Sequence, residues 1–406
     1  MMTYFDALET RSDDQRAGDL AKELPVQIAR AKGLSGYRDS LKDVDPEAIT
    51  SIDALATLPV LRKSDLVGRQ NRGNILGGFS TLNVSEFSHI FQSPGPIYEP
   101  GGTSHDWWRI GRFLHAVGVG SHDIVQNCFG YHLTPAGMIF ENGARAVGAS
   151  VIPAGVGQTE LQVRAAADIG ATAYAGTPDY LKIILDKAEA MGEKLSITKA
   201  AVGGGALFPS LRQEYQDRGI KCLQNYATAD LGNIAYESDA MEGMIVDEGV
   251  IVEIVTPGSN VPVPHGEVGE VVVTTLNPDY PLIRFATGDL SAIMAGTSPC
   301  GRTNMRIKGW MGRADQTTKI KGMFVRPEQV ATLVAQHSDI HKARVIAKRD
   351  GEMDVMTVQL ETEATDQARF EAAVVDALKL KGRVELHPIG SLPKDGLVIE
   401  DQRKYD

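Results

Sequence analysis

The spacing of apolar residues between about 107 and 220 alternates between two periods. Segments such as DIVQNCFGY and KAAVGGGA indicate buried strands, and segments between them, such as PDYLKIILDKAEAMG, repeat apolar residues at helical spacing. Strands that alternate with helices at this interval are typical of parallel βαβ units covered on both faces. The pattern therefore predicts an α/β domain, and such domains bind ligands at the carboxyl ends of their strands.

The pattern changes on either side of this region. The first 70 or so residues are predicted to be helical and charged, because Leu20, Leu24 and Ile28 recur at helical spacing. After residue 240, strands joined by Pro and Gly turns predict an antiparallel sheet or a small barrel. From about residue 316 an α+β pattern follows that is long enough to form a separate unit. We predict a large domain over residues 1–314 and a small mobile domain over residues 315–406.

Composition limits the classes of function. The 406 residues include 41 Lys and Arg against 52 Asp and Glu, a formal net charge of −11, which argues against binding to the phosphate backbone of a nucleic acid. No apolar segment reaches the ~18 residues of a membrane-spanning helix, and the acidic N-terminus lacks the features of a signal peptide. Three scattered cysteines are too few for a disulfide framework. We predict a cytoplasmic protein without a nucleic-acid or membrane partner.

The segment QNYATADLG, residues 224–232, combines an aromatic ring with a hydroxyl and a carboxylate. The ring of Tyr226 suits stacking on a purine, and Asp230 suits a hard cation such as Mg²⁺. Ala227 and Thr228 lie between them. By itself, the segment is as typical of a strand-to-helix loop with a packed tyrosine.

A glycine turn and a Gly-Asp turn flank this segment along the chain. Gly203, Gly204 and Gly205 in VGGGALFP permit close approach of a ligand to the backbone, although an ordinary βα turn explains them equally well. In RFATGDLSAI, Asp289 is a carboxylate suited to accept hydrogen bonds from two ribose hydroxyls. A simple turn between strands is the alternative for that segment.

Together with GRADQTTKIKG, residues 312–322, these segments resemble the motifs of the acyl-adenylate-forming superfamily, and nearly the whole chain is similar to the phenylacetate–CoA ligase family. The resemblance implies an enzyme that joins ATP and a carboxylic acid into an acyl-AMP and passes the acyl group to CoA. It implies that the glycine turn and Tyr226 contact adenine, that Asp289 binds ribose, and that Asp230 holds Mg²⁺. Arg313 is implied to be catalytic and to reach the ribose or phosphate, and Asp315 to be the hinge of domain rotation.

The segment DIVQNCFGYHLTPAG resembles the acid-pocket stretch of the same family. The resemblance makes Phe129, Tyr131 and His132 candidates for the acid pocket, together with Phe140 from the following helix. Ordinary core packing explains these aromatic residues about as well. The sequence does not identify the acid.

The segment SPCGRT resembles a Cys-Pro-Cys-Gly-Arg-Thr zinc half-site of close relatives, with Ser298 in place of the first cysteine. The other half-site of those relatives holds a Cys and a His, where this chain has Ser238 and no histidine. One thiol, Cys300, cannot complete a four-ligand site. No structural zinc is therefore expected.

Two segments depart from the family pattern. Residues 92–96 lie where the phosphate loop is expected, but the two prolines there have no amide N–H to offer a phosphate, and no lysine follows. At the C-terminus, Leu397 occupies the place of the family's catalytic lysine. Lys394 and Lys404 are the nearby candidates for that role.

Three functions stay open at this point. The first is an acyl- or aryl-CoA ligase with altered phosphate handling, the second an acyl-transfer enzyme that uses a preformed acyl-adenylate or acyl-CoA, and the third a non-catalytic relative that binds a nucleotide or CoA. The predicted ligands are ATP or AMP, Mg²⁺ and CoA. The predicted partners are a small-molecule carboxylic acid and CoA, with a homodimer as an option.

Overall fold

The structure is a computed structural model that describes residues 4–314, 316–321, 323–350, 353–393, 395 and 397–403. Asp315, Lys394 and Lys404, predicted as hinge and candidate catalytic residues, lie outside the described residues. The chain forms two compact units: the first comprises Met1–Val252, Val273–Phe285 and Met294–Gly309, and the second comprises Glu253–Val272, Ala286–Ile293 and Trp310–Asp406. The predicted division between residues 314 and 315 stays a prediction.

Helices and strands occur along most of the described chain. The helices are α1 (Asp13–Lys32), α2 (Ile52–Leu55), α3 (Lys63–Arg69), α4 (Ile110–Val117), α5 (Ala136–Ala146), α6 (Thr159–Ile169), α7 (Pro178–Met191), α8 (Pro209–Asp217), α9 (Pro327–Gln336) and α10 (Gln367–Leu378). The strands are β1 (Leu61–Arg62), β2 (His89–Ser93), β3 (Ile97–Gly101), β4 (Ile124–Asn127), β5 (Ser150–Ile152), β6 (Ala173–Gly176), β7 (Lys199–Val202), β8 (Lys221–Thr228), β9 (Gly232–Tyr236), β10 (Met244–Val246), β11 (Val250–Val255), β12 (Gly269–Thr275), β13 (Phe285–Ser291), β14 (Ile293–Met294), β15 (Arg306–Ile307), β16 (Thr318–Ile320), β17 (Met323–Val325), β18 (Lys342–Asp350), β19 (Met353–Glu361), β20 (Arg383–His387) and β21 (Ile399–Asp401). Among the described helices, none is both long enough and apolar enough to cross a membrane.

A nine-stranded sheet with the order β14-β15-β10-β9-β8-β7-β6-β4-β5 contains the predicted βαβ units. Its strands β4 to β8 pair in parallel, and α5, α6, α7 and α8 connect them in turn. Every residue of β6 is buried, as expected for a parallel strand covered on both faces. The predicted α/β class is confirmed.

Helix α7 illustrates how the sequence specifies these units. Leu181, Ile184 and Ala188 are buried at helical spacing, the first in a core shared with the sheet and the other two against helix α6. Pro178 opens the helix, where its missing N–H costs nothing. Gly192 ends it with φ of 70°, a left-handed conformation that glycine adopts without strain.

Pairing becomes antiparallel beyond β8. Strand β8 pairs with β9, β9 with β10, and β10 with β15, all antiparallel, in keeping with the antiparallel region predicted after residue 240. A four-stranded sheet has the order β1-β13-β12-β11. The boundaries between the two units fall within β11, β12 and β13.

In the second unit, a four-stranded sheet has the order β20-β19-β18-β21. The long strands β18 and β19 form an antiparallel hairpin, and β20 and β21 join it in parallel. Helices α9 and α10 contribute Val330, Leu333, Phe370 and Val374 to the core formed with this sheet. This arrangement matches the α+β pattern predicted for the end of the chain.

Candidate functional site

A cleft with a volume of about 190 Å³ opens in the first unit at the carboxyl ends of its parallel strands. Phe129 follows β4, Gly203 follows β7, and Asn225 to Thr228 end β8. Parallel strands place their carboxyl ends on one edge of the sheet, which is where α/β proteins bind ligands. The lining residues are Ser93, Phe129, Thr134, Pro135, Ala136, Ile139, Phe140, Gly203, Gly204, Asn225, Ala227, Thr228 and Ala229.

The predicted glycine turn forms one wall of this cleft. Gly204 has φ of +68°, and a Cβ added to Gly203 would lie 2.4 Å from Oδ1 of Asn225. Gly204 thus has a conformation that favours glycine, and any larger residue at Gly203 would displace the Asn225 side chain. Gly205, the third predicted residue, is exposed and follows them in the chain.

Strand β8 supplies the next wall. Ala227 and Thr228 line the cleft, and the pairing with β9 shifts register between Tyr226 and Ala227. A bulge of this kind re-aims the side chains at a strand end. Tyr226 is 7% exposed and lies within the core, outside the lining residues.

The predicted acid-pocket residues separate into two groups. Phe129 stacks on Phe140 with ring centroids 4.3 Å apart, and both line the cleft. Tyr131 lies outside the lining residues, where its hydroxyl accepts a hydrogen bond from Nδ2 of Asn127 at 2.8 Å. Burial, reinforced by the neighbouring carboxylate of Glu141, raises the pKa of Tyr131. His132 is exposed and also lies outside the lining.

Asp230, predicted as a Mg²⁺ ligand, follows the cleft residue Ala229 and forms an ion pair. Its side chain is fully buried, and Oδ2 lies 2.6 Å from the Lys63 ammonium, which is 30% exposed. Oδ1 is buried without a hydrogen-bond partner in the described part of the chain. Mg²⁺ beside bound phosphates usually takes one or two protein carboxylates, while water and phosphate oxygens complete its coordination. The described residues contain no group of three or more His, Cys, Asp or Glu that could hold a metal by themselves. Asp230 therefore stays a prediction as a Mg²⁺ ligand.

Glu99 is a second buried carboxyl beside this pair. It is 0% exposed, and its pKa is raised to about 7 because burial and the Asp230 carboxylate disfavour its ionised form more than Ser93 and Lys63 favour it. Buried carboxyls with raised pKa values cluster at functional sites. Sequence reasoning assigned no role to Lys63 or Glu99, because Lys63 is 167 positions from Asp230 and no local pattern connects the three residues.

In the second unit, the structure brings Asp289 and Arg313 together. They are antiparallel bridge partners, and the hydrogen bonds from Leu290 N to Gly312 O and from Ala314 N to Gly288 O flank them. Such a pair holds its side chains close on one face. Arg313 Nη1 donates to Asp289 Oδ1 at 2.9 Å, and the indole Nε1 of Trp310 donates to the same oxygen at 3.1 Å.

Residues 92–96, at the expected phosphate loop, form a tight hairpin in the first unit. Ser93 of β2 pairs with Ile97 of β3, so residues 94–96 form the whole turn, and its Gly95–Pro96 peptide bond is cis. Of these three residues only Gly95 has an amide N–H. Ser93 is the member of this segment that lines the cleft.

Leu397, at the place of the family's catalytic lysine, lines an apolar cleft within the second unit. The cleft has a volume of about 380 Å³ and includes Val261, Val330 and Val334. The Leu397 carbonyl accepts a hydrogen bond from Arg344 Nη1 at 3.3 Å. An aliphatic side chain thus suits this position by packing.

The segment that resembles a zinc half-site holds its thiol in a hydrogen-bonded cluster. Cys300 Sγ accepts from Ser298 Oγ at 3.1 Å and from Arg302 Nη1 at 3.6 Å. Burial opposes ionisation, but hydrogen bonds from Ser238, Ser298 and Arg302 outweigh it and lower the pKa of the Cys300 thiol. A guanidinium in contact with the sulfur repels a cation, so these residues do not fit zinc.

Comparisons with known proteins cover most of the chain. No family model matches. The chain is 28% identical over 344 residues to a phenylacetate-coenzyme A ligase of Thermus thermophilus, covering 80% of this chain and 76% of the relative. It is 29% identical over 388 residues to a ligase of the same name from Pseudomonas putida, covering 89% and 85%. It is 29% identical over 384 residues to another from Escherichia coli, covering 88% and 85%.

A solved structure shares the fold. An open conformation of a 2-hydroxyisobutyryl-CoA ligase in complex with 2-HIB-AMP and CoA superimposes with a TM-score of 0.71 at 21% identity, covering 95% of this chain and 91% of that one. The same enzyme in its postadenylation state gives a TM-score of 0.70, with 97% and 91% covered. The chain therefore shares the fold of this CoA ligase.

Proposed function

We propose that this chain, related over most of its length to phenylacetate–CoA ligases, is an acid–thiol ligase that activates a small carboxylic acid as an acyl-adenylate and transfers it to CoA. The observation that carries the proposal is the cleft of the first unit. It joins Phe129, a candidate for the acid, to Gly203, Gly204, Ala227 and Thr228, candidates for the nucleotide. Candidates for contact with the acid and with the nucleotide thus line the same cleft, as an adenylation requires.

The lining of the cleft supports a small acid with an apolar body. Phe129, Ile139 and Phe140 offer aromatic and aliphatic surface, whereas pockets for drug-sized ligands usually measure about 300–1,000 Å³. A cleft of about 190 Å³ favours a single ring or a short branched chain over a fatty acid. Tyr131 and His132 stay predictions for this pocket.

The proposed chemistry has two steps. The acid carboxylate attacks the α-phosphorus of ATP, and the bond to the departing pyrophosphate breaks; the CoA thiolate then attacks the acyl carbon, and AMP leaves. Asp289 and Arg313 are proposed for the ribose and phosphate, and Asp315 for the hinge. We expect Mg²⁺ to bind chiefly through the ATP phosphates, with Asp230, which is paired with Lys63, as the predicted protein ligand.

Adenylation requires positive charge where two anions approach each other. The proposed sources are Arg313, by resemblance, and Lys394 and Lys404, which lie near Leu397 in the sequence. A further proposed source is Lys63 of the first unit. Its ammonium pairs with Asp230, which follows the cleft residue Ala229 in the chain. A homodimer and a cytoplasmic location also stay predictions.

The decisive experiment measures pyrophosphate release from ATP and Mg²⁺ with a panel of small aromatic, branched and long-chain acids, each with and without CoA. We expect release only with small apolar acids, and acyl-CoA only when CoA is present. Reactions without acid are the matched control. Absence of release with every acid contradicts the ligase.

A specific feature favours one alternative, the acyl-transfer enzyme that starts from a preformed acyl-adenylate. The turn at residues 94–96 offers one amide N–H, so a triphosphate finds few donors there. Synthetic acyl-adenylates of the same acids, given with CoA, test it. Acyl-CoA formed from them, without pyrophosphate release from ATP, supports the alternative over the ligase.

A further inference from the structure

Trp310 is the large exposed aromatic residue next to the predicted ribose ligand. Its side chain is 56% exposed, and its indole Nε1 donates to Oδ1 of Asp289 at 3.1 Å. The other two tryptophans of the chain, Trp107 and Trp108, are 7% and 2% exposed. Trp310 therefore lies outside the core, and the contact with Asp289 is what distinguishes it from other exposed hydrophobic residues.

The backbone fixes this contact. Met311 N donates to Leu290 O, and Leu290 N donates to Gly312 O, both at 2.9 Å. These bonds hold the segment that begins at Trp310 against strand β13, which carries Asp289. The indole of Trp310 and the guanidinium of Arg313, three positions apart in this segment, therefore both contact the Asp289 carboxylate.

We propose that Trp310 is a positioning residue for nucleotide binding: its indole N–H, with Arg313, orients the Asp289 carboxylate toward the ribose hydroxyls. This inference rests on the proposed function, since it takes Asp289 as the ribose ligand. An indole has one donor and no acceptor, so it cannot itself replace the carboxylate. Two donors on Oδ1 restrain the position of the carboxylate before the ligand arrives, and such preorganisation reduces the ordering cost of binding.

The test compares two ligands in four proteins. AMP carries both ribose hydroxyls, whereas 2′,3′-dideoxy-AMP lacks them. The proteins are wild type, Trp310→Phe, which keeps a ring but loses the N–H, Asp289→Ala, and Met311→Ala as a matched control. Met311 is 42% exposed beside Trp310 and has no N–H in its side chain to donate. Calorimetry gives each dissociation constant, and denaturant unfolding checks that every variant folds.

We expect Trp310→Phe to weaken AMP binding roughly three- to tenfold, the usual effect of one hydrogen bond, and Asp289→Ala to weaken it about ten- to a hundredfold. Binding of dideoxy-AMP should change less than about twofold in Trp310→Phe, because this ligand lacks the ribose hydroxyls that donate to Asp289. Met311→Ala should bind both ligands as wild type does. If Trp310 contributed only to folding, Trp310→Phe would change the dissociation constants of the two ligands by the same factor.

Three results overturn the inference. If Asp289→Ala weakens AMP but Trp310→Phe does not, Trp310 has no part in binding, and the proposed ribose role of Asp289 survives. If Trp310→Phe weakens AMP and dideoxy-AMP equally, it does not act through the hydroxyls. If wild type binds no AMP, or Asp289→Ala changes nothing, the proposed nucleotide site fails and the inference fails with it.

Fluorescence gives a second readout of the same contact. Because Trp310 is the exposed indole, acrylamide should quench mainly its emission, and AMP should reduce that quenching in wild type. Trp310→Phe should remove the AMP-dependent change while Met311→Ala keeps it. An AMP-dependent change that persists in Trp310→Phe comes from Trp107 or Trp108 and contradicts the assignment.

Discussion

At the scale of single residues, the charge balance around Asp230 decides what this site can hold. A carboxylate that is fully buried needs a compensating charge, and the Lys63 ammonium supplies it at 2.6 Å. Glu99 lies in the same region, buried and with a pKa raised to about 7. Below neutral pH, Asp230 is therefore ion-paired with Lys63, and Glu99 is largely protonated. This arrangement avoids the repulsion between two neighbouring carboxylates.

Lys63→Met should therefore affect both stability and activity. Removing one partner of a buried pair leaves an uncompensated charge, and because Lys63 is 30% exposed we expect a discounted loss of roughly 1–3 kcal/mol. We further expect pyrophosphate release to fall by at least about a hundredfold, the scale of losing a positioned charge. Denaturant unfolding and the pyrophosphate assay measure the two effects.

Lys42→Met, at a lysine whose side chain is 69% exposed, is the matched control and should change neither quantity. If Lys63→Met loses stability but keeps full activity, the ion pair is structural and the catalytic charge comes from Lys394, Lys404 or Arg313. Alanine variants of those residues then identify which one supplies it.

Glu99→Gln should change how stability depends on pH. Folding raises the pKa of Glu99 from 4.5 to about 7, so the folded state binds the proton more tightly than the unfolded state. The stabilisation is complete below about pH 4.5 and is lost as the pH rises through about 7, by roughly 3 kcal/mol at most. Glu99→Gln stays neutral, so its stability relative to wild type should rise across that interval.

Urea unfolding at pH 5 and pH 8 measures this difference between wild type and Glu99→Gln. Glu193→Gln, at an exposed carboxyl, is the control and should follow wild type at both pH values. A constant difference between Glu99→Gln and wild type would show that Glu99 does not titrate in this range.

At the scale of elements, the ends of β2, β4, β7 and β8 form the cleft proposed as the ligand site. Phe129, Gly203 and Thr228 lie at the carboxyl ends of the parallel strands β4, β7 and β8 and line one cleft. Ser93 of the β2–β3 hairpin lines the same cleft. The hairpin is short because Ser93 pairs directly with Ile97. It offers hydroxyl and backbone contact to a ligand but no extended set of amide donors.

The hairpin predicts that ATP binds no more tightly than AMP. Phosphate loops hold the β- and γ-phosphates through backbone amides, and residues 94–96 contain two prolines that have none. Calorimetry with Mg²⁺ should give dissociation constants for ATP and AMP within about threefold of each other. An ATP affinity more than tenfold above that of AMP would show that other residues hold the outer phosphates. Pro94→Ala and Pro96→Ala, which restore amides, show whether more donors strengthen ATP binding.

At the scale of the whole molecule, the described chain has separate cores in its two units. Tyr174, Leu181 and Val202 belong to a core of the first unit, and Val345 and Phe370 belong to that of the second. Proteins with more than one unit often unfold in more than one step. Ligands that bind only the folded protein raise its stability by mass action.

AMP at about 100 times its dissociation constant should therefore raise the free energy of unfolding by about 2.7 kcal/mol. Urea unfolding followed by far-ultraviolet circular dichroism measures the shift, and inorganic phosphate at the same concentration is the control. If AMP and phosphate shift the curve equally, the effect is a general response to anions. Absence of any AMP shift contradicts an intact nucleotide site.

The sequence by itself determined the elements and the fold class. Alternating strands and helices predicted the parallel sheet, and the helical spacing of Leu20, Leu24 and Ile28 predicted α1, in which Leu24 and Ile28 are buried. These predictions succeed because the spacing of apolar residues is a local property of the sequence. The regular geometry of a helix or strand places residues at that spacing on one buried face. Short segments such as RFATGDLSAI also carried the resemblance to the acyl-adenylate-forming superfamily, because such motifs are contiguous in the sequence.

Only the tertiary structure decided which side chains meet. Lys63 and Asp230 are 167 positions apart, so no local pattern could reveal that an ammonium balances the carboxylate predicted for Mg²⁺. Trp310 resembles any exposed loop residue until its N–H is seen on Asp289. Buried charge must be compensated by whatever the fold brings near, and that neighbour is set by long-range packing rather than by the adjoining sequence.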